Sequence, residues 1–432
     1  MSAIQTTAPL RSSATAPLRS SGAAPSSAAP VGSVPVDAAP TFAELAAKYR
    51  PVFESIAAGA AGRETDRVLL HLQIRDLAAA GFGAVRVPRE FGGDGATAVQ
   101  FFRLLIELAA AESNLAQALR SHIAFVEGRL YRNDAEWLRR VGEGQILGNA
   151  WTETGPVAVG GVGTTIEPDG ENFRVNGTKY YTTGSLYADW IQTGARTADG
   201  RDIIALVRAD APGVTIRDDW DGFGQRLTAS GTTVFDNVAV PASDVLVETE
   251  QAPYATGVYQ LIHVATLAGI TQRVVRDVSE AVRERTRVFS HGNGVRPGED
   301  IQVQQIVGEI SAQAFAAEAA TLRVAELLQE AFDVRPAAQG AESPSFEEAV
   351  LQVEFGSSQA QIVVTDLAQR ASSSLFDALG ASATKSDLQL DRHWRNARVI
   401  SSHNPVVYKS RVVGDWKING TIPEFVWRSG TV

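Results

Sequence analysis

Near the end of the chain, Asp391-Arg392-His393-Trp394-Arg395-Asn396-Ala397-Arg398 runs on through Val399-Ile400-Ser401-Ser402 to His403-Asn404-Pro405. This spacing predicts the last turns of a helix crowded with cations and aromatics. Val399 and Ile400 close its apolar face, and Pro405 stops it two residues after His403. A histidine ahead of a forced turn can project into a cleft, where an imidazole that titrates near neutrality can hold or pass a proton. The plainer reading is a surface cap that interacts with the helix dipole. This stretch alone leaves both readings open.

A second imidazole, His122, follows Leu115 and Leu119 along one helical stripe and precedes Ile123. By pattern alone it is a buried core histidine with its nitrogens satisfied. The third candidate region is strand-like. Asn149-Ala150-Trp151-Thr152-Glu153 leads into the glycine-rich residues 155–163, and 173–181 reads as a hairpin with Asn176-Gly177 at its turn. Further strands are expected over 203–207, 214–217 and 232–240. The Thr, Trp and Tyr residues of these strands suit a pleated surface whatever else they do.

The elements that would position these groups fall into blocks. Residues 1–40 are Ala, Ser and Pro with few large apolar groups, and Thr-Ala-Pro-Leu-Arg-Ser-Ser occurs at 7–13 and again at 15–21. Such a segment is expected to be a disordered tail. A helical domain is expected over 41–148. It opens on the Thr41-Phe42-Ala43-Glu44 capping signature with a short helix through Tyr49. A second helix carries Val68, Leu69, Leu72 and Leu77 and stops at Gly81. The 87–95 stretch reads as a structural turn, since no strand precedes it and no GKS/T follows. A β-domain is expected over 149–250. Residues 251–402 then hold three long amphipathic runs (257–289, 301–332, 346–379), broken at Gly340 and Pro344, and a shorter helix over 386–402. Together these fit a four-helix bundle. The tail 403–432 is rich in aromatics and is expected to fold back over the cleft or onto another subunit.

Bulk properties narrow the class. The chain has 432 residues, 44% hydrophobic and 20% charged, an ordinary globular composition. A net charge of −10 without any basic run argues against nucleic acid. No apolar run approaches the roughly 18 residues of a membrane span, and the start lacks the pattern of a secretory signal, so a cytoplasmic location is expected. There is no cysteine, which excludes a disulfide, a thiolate nucleophile and a Cys-ligated metal, and no metal site is expected. The only methionine is Met1.

The Trp394–Arg398 run with Ser402-His403-Asn404-Pro405 resembles flavin-dependent monooxygenases built on the acyl-CoA dehydrogenase fold, in particular the dibenzothiophene monooxygenase subgroup and its sulfone- and sulfinate-oxidising relatives. Asp219-Trp220-Asp221-Gly222-Phe223-Gly224-Gln225-Arg226, followed by Ser230-Gly231, resembles the same subgroup. The fold implied is mainly α with a β-domain: an N-terminal helical domain, a β-barrel-like middle domain and a C-terminal four-helix bundle. Dehydrogenases of this fold carry Glu-Gly-Thr near the position of Ser402-His403-Asn404, the Glu often removing the substrate α-proton. Its loss favours the oxygenase branch.

The resemblance implies catalytic roles for His122, His403 and Thr183. It implies flavin contacts by Asn149, Trp151, Thr152, Tyr181, Thr183, Trp220, Gly380 and Asn404. Arg287, with His291 nearby, is the expected phosphate contact from a neighbouring subunit, although Arg287-Val288-Phe289-Ser290-His291 departs from the dehydrogenases' Arg-x-x-Phe-Gly. Arg226 is expected either in the pocket wall or paired with Asp219 or Asp221 on the surface. The activity implied is that of a group D two-component monooxygenase. Such an enzyme takes reduced FMN, or alternatively reduced FAD, from a separate NAD(P)H-dependent flavin reductase and inserts one atom of O2 through a flavin C4a-hydroperoxide. A homotetramer is implied as well. The alternatives are N- or aromatic C-hydroxylation on the same fold, an acyl-CoA dehydrogenase recruiting Glu153 or Glu112 as base, and a non-catalytic flavin-binding scaffold. Absence of Cys and of any Met beyond Met1 favours an organosulfur substrate, because a protein made when sulfur is scarce is best built without it. Protection from oxidation explains depletion beside the site but not in remote helices.

Overall fold

Thr41 opens the first helix as its capping signature requires: its hydroxyl accepts from Glu44 N at 3.3 Å while the Glu44 carboxylate accepts Thr41 N at 2.7 Å. A computed structural model describes residues 39–154, 161–247, 251–337, 341 and 343–426. The tail expected over 1–40 lies outside these residues apart from 39 and 40. Residues 155–160, Gly340 and 427–432 lie outside them too.

The N-terminal block is α1 (Phe42–Ala58), α2 (Ala60–Asp66), α3 (His71–Ala79), α4 (Ala98–Ala111), α5 (Ser113–Ala118), α6 (Arg120–Arg132) and α7 (Ala135–Gly142). Helix α1 continues past Tyr49 and through Pro51 because Phe53 and Ile56 extend the buried stripe. In α3 the buried residues are Ile74 and Leu77, whereas Val68 and Leu72, expected on the apolar face, are exposed. The 87–95 turn is structural, as expected. Arg86 pins it by donating to Ala96 O at 2.7 Å while its guanidinium clasps the Glu127 carboxylate at 2.7 and 3.2 Å, both side chains buried.

Eight strands follow: β1 (Leu147–Ala150), β2 (Thr165–Asp169), β3 (Asn172–Lys179), β4 (Trp190–Thr197), β5 (Asp202–Arg208), β6 (Val214–Ile216), β7 (Thr233–Pro241) and β8 (Val245–Val247). They form one mixed sheet in the order β6-β7-β3-β2-β4-β5-β8, with β1 parallel to the first half of β4. The expected hairpin is corrected here. Asn176-Gly177 is no turn: it lies inside β3, where the register against β7 shifts between Val175 and Gly177. The chain reverses instead at Gly170 (φ 63°), between β2 and β3.

The C-terminal block comprises α8 (Ala255–Glu284), α9 (Ile301–Asp333), α10 (Pro344–Leu379), α11 (Arg392–His403) and α12 (Val407–Asn419). Helix α10 packs on both α8 and α9, and α8 packs on α4 of the first block. That last approach is close, since a Cβ at Gly269 would sit 2.4 Å from Ala109 Cβ and 2.5 Å from Ile106 O. The helix expected over 386–402 begins later, at Arg392, after a 3-10 turn over Ala381–Thr384. Past Pro405 the chain forms α12, whose Trp416 stacks on Phe355 of α10 at 3.7 Å between ring centroids.

Glu354 of α10 lies buried behind α12, accepting Gly257 N at 2.7 Å. Burial pushes its carboxyl up to about 7, although the Gly257 amide and Lys409 oppose this. An acid whose folded pKa lies above its ordinary 4.5 binds more protons folded than unfolded over that interval. Stability therefore falls as pH rises from about 4.5 to 7, by up to a few kcal/mol at about 1.4 kcal/mol per unit. Glu354→Gln is expected to flatten that fall, as read from urea midpoints at pH 5 and 7.5. An unchanged difference between the two pH values would show that Glu354 is not its source.

Candidate active site

Just past the end of β3 the chain carries Tyr180, Tyr181 and Thr183. Tyr180 N donates to Thr152 O at 2.8 Å, tying this segment to the extension of β1. Tyr181 adopts φ 56°, an uncommon conformation for a bulky residue. That turn leaves its ring 55% exposed and edge-on to Trp220 at 6.0 Å. Thr183 is buried and shares a 2.8 Å hydrogen bond with Ser230, which shares another with Thr228. Asn149 on β1 is buried with its Oδ1 unpartnered, and Trp151 packs over Gly194 of β4.

The loop carrying Trp220 is stitched to the helix carrying His403. Trp220 Nε1 donates to Gln225 O at 3.0 Å. Gln225 N donates to Asn396 Oδ1 at 2.6 Å, and both Gln225 Nε2 and Asn396 Nδ2 donate to Ser113 Oγ. Phe223 stacks on Trp394 at 6.0 Å. This buried polar knot joins α5, the 220–227 loop and α11, so Trp220 and His403 belong to one fixed frame. Arg226 pairs with neither Asp219 nor Asp221: it donates to Glu64 O at 3.1 Å.

His403 is the last residue of α11, with Asn404 as its C-cap. Its ring lies 4.6 Å from that of His263, a buried residue on α8 with both ring nitrogens unpartnered. One turn earlier on the same face of α8 stands Tyr259, and the Arg120 guanidinium lies over its ring at 4.4 Å. Loss of surrounding water and then the Arg120 cation hold His263 well below the usual histidine range, and the same two causes lower His403. His403 itself is exposed to solvent. Both imidazoles are thus neutral at pH 7. His263 and Tyr259 were not singled out in the sequence; a histidine inside the apolar run of α8, four residues after a tyrosine, is the signal that was there.

His122 keeps other company. Its Nε2 donates to Gly83 O at 2.9 Å and its Nδ1 accepts from Leu147 N at 3.3 Å. Burial lowers its pKa to about 4, although the Gly83 carbonyl opposes this. With both nitrogens spent on backbone, it bridges the 82–84 turn to β1. His122→Ala should cost roughly 2–5 kcal/mol, orphaning a buried carbonyl and amide and leaving a void. A lowered melting temperature with an unchanged ratio of product to peroxide is expected; a changed ratio at wild-type stability would return His122 to the chemistry.

Gly380 (φ 70°) ends α10 beside Phe289, whose ring a Cβ there would meet at 3.3 Å. Arg285 rather than Arg287 meets this turn. Its Nη1 donates to Leu379 O and its guanidinium lies over Phe289. Arg287 and His291 are exposed, and among the described residues nothing bonds to Arg287. Neither candidate carboxylate base is free. Glu112 accepts Asn114 N and Nδ2 as the cap of α5. Glu153 is locked to Lys179 at 2.5 Å and to the amides of Gly163 and Thr164.

This is the acyl-CoA dehydrogenase architecture. Residues 150–238 match the acyl-CoA dehydrogenase middle domain and residues 261–408 its C-terminal domain, together more than half the chain. The chain belongs to the flavin-dependent monooxygenases of that fold. It is 28% identical over 376 residues to dibenzothiophene monooxygenase of Mycolicibacterium goodii, covering 81% of this chain and 87% of the relative. It is 25% identical over 345 residues to the probable FMNH2-dependent monooxygenase SfnC of Pseudomonas putida, covering 78% and 85%. The FMN-bound structure of TdsC from Paenibacillus sp. A11-2 superposes with a TM-score of 0.79 at 28% identity, covering 87% of this chain and 98% of TdsC.

Proposed function

We propose that this chain takes reduced FMN from a separate NAD(P)H-dependent flavin reductase and places one oxygen atom of O2 on a small organosulfur compound. The observation that carries the reading is the His403–His263 pair at 4.6 Å, two neutral imidazoles of which His403 ends the helix fixed to the Trp220 loop, whereas a dehydrogenase needs a free carboxylate. The groups around it suit FMN. The Thr183–Ser230 hydroxyl pair and the unpartnered Asn149 amide oxygen offer hydrogen bonds to the polar edge of a flavin, and Tyr181 with Trp220 offers aromatic surface. Reduced FMN would supply the two electrons that split O2, one atom going to the substrate and the other to water. His403 would hold or pass the proton that this requires, and Thr183 would fix an oxygen atom by hydrogen bonding. Trp151, Thr152, Gly380 and Asn404 would complete the flavin contacts on this reading.

A homotetramer fits the exposed Ile301 and Phe315 of α9 and Val363 of α10. Arg287 would then reach a neighbour's flavin phosphate. A cytoplasmic place is consistent with the described residues, in which no helix is long and apolar enough to cross a membrane. The organosulfur assignment draws support from the relatives that oxidise dibenzothiophene and from the absence of Cys and of Met beyond Met1.

The test is substrate-dependent oxygen consumption with a flavin reductase present, compared across sulfides, sulfones, sulfinates, thiophenes, indole and amines. Turnover confined to indole or amines would overturn the substrate class. Bleaching of bound flavin by an acyl-CoA without oxygen would overturn the oxygenase reading. Light scattering that reports a monomer would remove the tetramer.

A further inference from the structure

Arg120 stands out because the chain buries its cation without an anion. It is only 9% exposed, on the first turn of α6. Its Nε has no partner, and among the described residues no carboxylate forms an ion pair with it. The contact it makes is with the Tyr259 ring at 4.4 Å. A desolvated guanidinium is costly unless a counter-charge faces it, and one cation–π contact offsets only part of that cost. Two similarly buried arginines each have an acid: Arg86 has Glu127, and Arg392 has Asp277 at 3.2 Å. Burial pulls Arg120 down to about 10, which leaves it a cation at neutral pH. His263, one turn beyond Tyr259, also has both nitrogens unpartnered. Buried donors without partners, gathered beside the exposed His403, are what a polar ligand would complete.

We infer that Arg120 is the anchor for an anionic substrate group, so that the compound oxygenated here is a small sulfinate, not a neutral sulfide or sulfone. The inference rests on oxygen transfer to sulfur as proposed above. A sulfinate R–SO2⁻ offers two oxygens to the planar guanidinium fork, while its sulfur keeps a lone pair. The two oxygens on Arg120 would turn that lone pair away from the cation. The sulfur then forms one new S–O bond and is oxidised by two electrons to R–SO3⁻. The second oxygen atom of O2 leaves as water, with two electrons and two protons drawn from reduced FMN. Tyr259 is a positioning residue in this scheme, since its ring fixes the plane of the guanidinium.

The experiment is calorimetric binding of methanesulfinate and of dimethyl sulfone to the full-length protein saturated with oxidised FMN, in which no turnover occurs. Wild type should bind methanesulfinate in preference to the sulfone. Arg120→Gln should weaken methanesulfinate binding about 10–100-fold, the range for a lost charge-assisted hydrogen bond. Arg120→Lys should recover part of the loss, and the dissociation constant of FMN should not move. Equal sulfinate affinity in wild type and Arg120→Gln, a preference for the sulfone, or a loss confined to FMN would each overturn the assignment. Should Arg120→Gln lose its native circular dichroism, the wild-type preference and the Arg120→Lys variant still decide. Sulfinate binding that depends on Arg120, without oxygenation of any sulfur compound, would keep the anion site and sink the proposed reaction.

Discussion

His403→Ala is expected to cut product formation about 10²–10⁴-fold, the usual loss on removing a positioned proton donor or acceptor, while peroxide release rises. The variant should fold. His403 ends α11, and the bonds that hold that helix come from elsewhere along it: Asn396 to Gln225 and Ser113, and Arg395 to Glu64 at 2.6 Å. Its ring contributes a contact with His263 on one side and is open on the other. Two influences compete over its charge. A helix C-terminus favours the imidazolium, whereas the water lost on the His263 side and the Arg120 cation oppose it and prevail. The neutral form should therefore persist below the ordinary histidine range, and the fraction of oxygen coupled to product should stay flat down to about pH 6. A fall in coupling centred near 6.5 would mean that His403 titrates like a free histidine. Retained coupling in His403→Ala would remove it from the chemistry altogether.

How much of this was legible depended on whether the signal was local. The capping box at Thr41 is three-residue chemistry and forms as read. The long bundle helices have enough turns for their 3.6-residue period to be plain, and α9 and α10 fall where expected. β4 was missed. It is hydrogen-bonded to β1, β2 and β5 and buried through most of its length, so it lacks the alternation that marks a half-exposed strand. Asn176-Gly177 misled because a turn dipeptide and a bulge need the same backbone freedom, and only the partner strand β7 tells them apart.

The site divides in the same way. His403 and Trp220 sit in distinctive strings, and the Asn396–Gln225 bond puts them in one frame. For His122 the stripe with Leu115 and Leu119 already said core, and the two backbone bonds agree with that reading. Arg120 and His263 are separated by 143 positions in the chain. Their meeting at Tyr259 depends on how α6 crosses α8, which no local pattern encodes.

Lys179→Met should be strongly destabilising, by about 3–5 kcal/mol, because it leaves a buried carboxylate without its cation. Lys179 and Glu153 expose 1% and 9% of their side chains and meet at 2.5 Å. Burial would raise the Glu153 carboxyl, yet Lys179 and the Thr164 and Gly163 amides outweigh it and the net direction is down. For Lys179 burial wins and the net direction is also down, although Glu153 resists. The carboxylate thus shifts as a strong pair requires and the ammonium as a weak one would. With Lys179 and three hydrogen bonds from Gly163 and Thr164 converging on Glu153, the geometry favours the ionised pair. Those three bonds survive in the variant, which places the expected loss near the lower end. The sign of the pH response follows. Without Lys179 the lone Glu153 should be easier to protonate, so the deficit should shrink as pH falls below about 5. Lys179→Met/Glu153→Gln should recover part of the loss at pH 7. The consequence reaches the cofactor surface, since the pair clamps Glu153 to the residue just before Tyr180, whose amide bonds to Thr152, and Tyr181 and Thr183 come next. FMN affinity should fall along with the urea midpoint. Wild-type stability in Lys179→Met, or a deficit that grows in acid, would show that the pair is not what fixes this edge of the sheet.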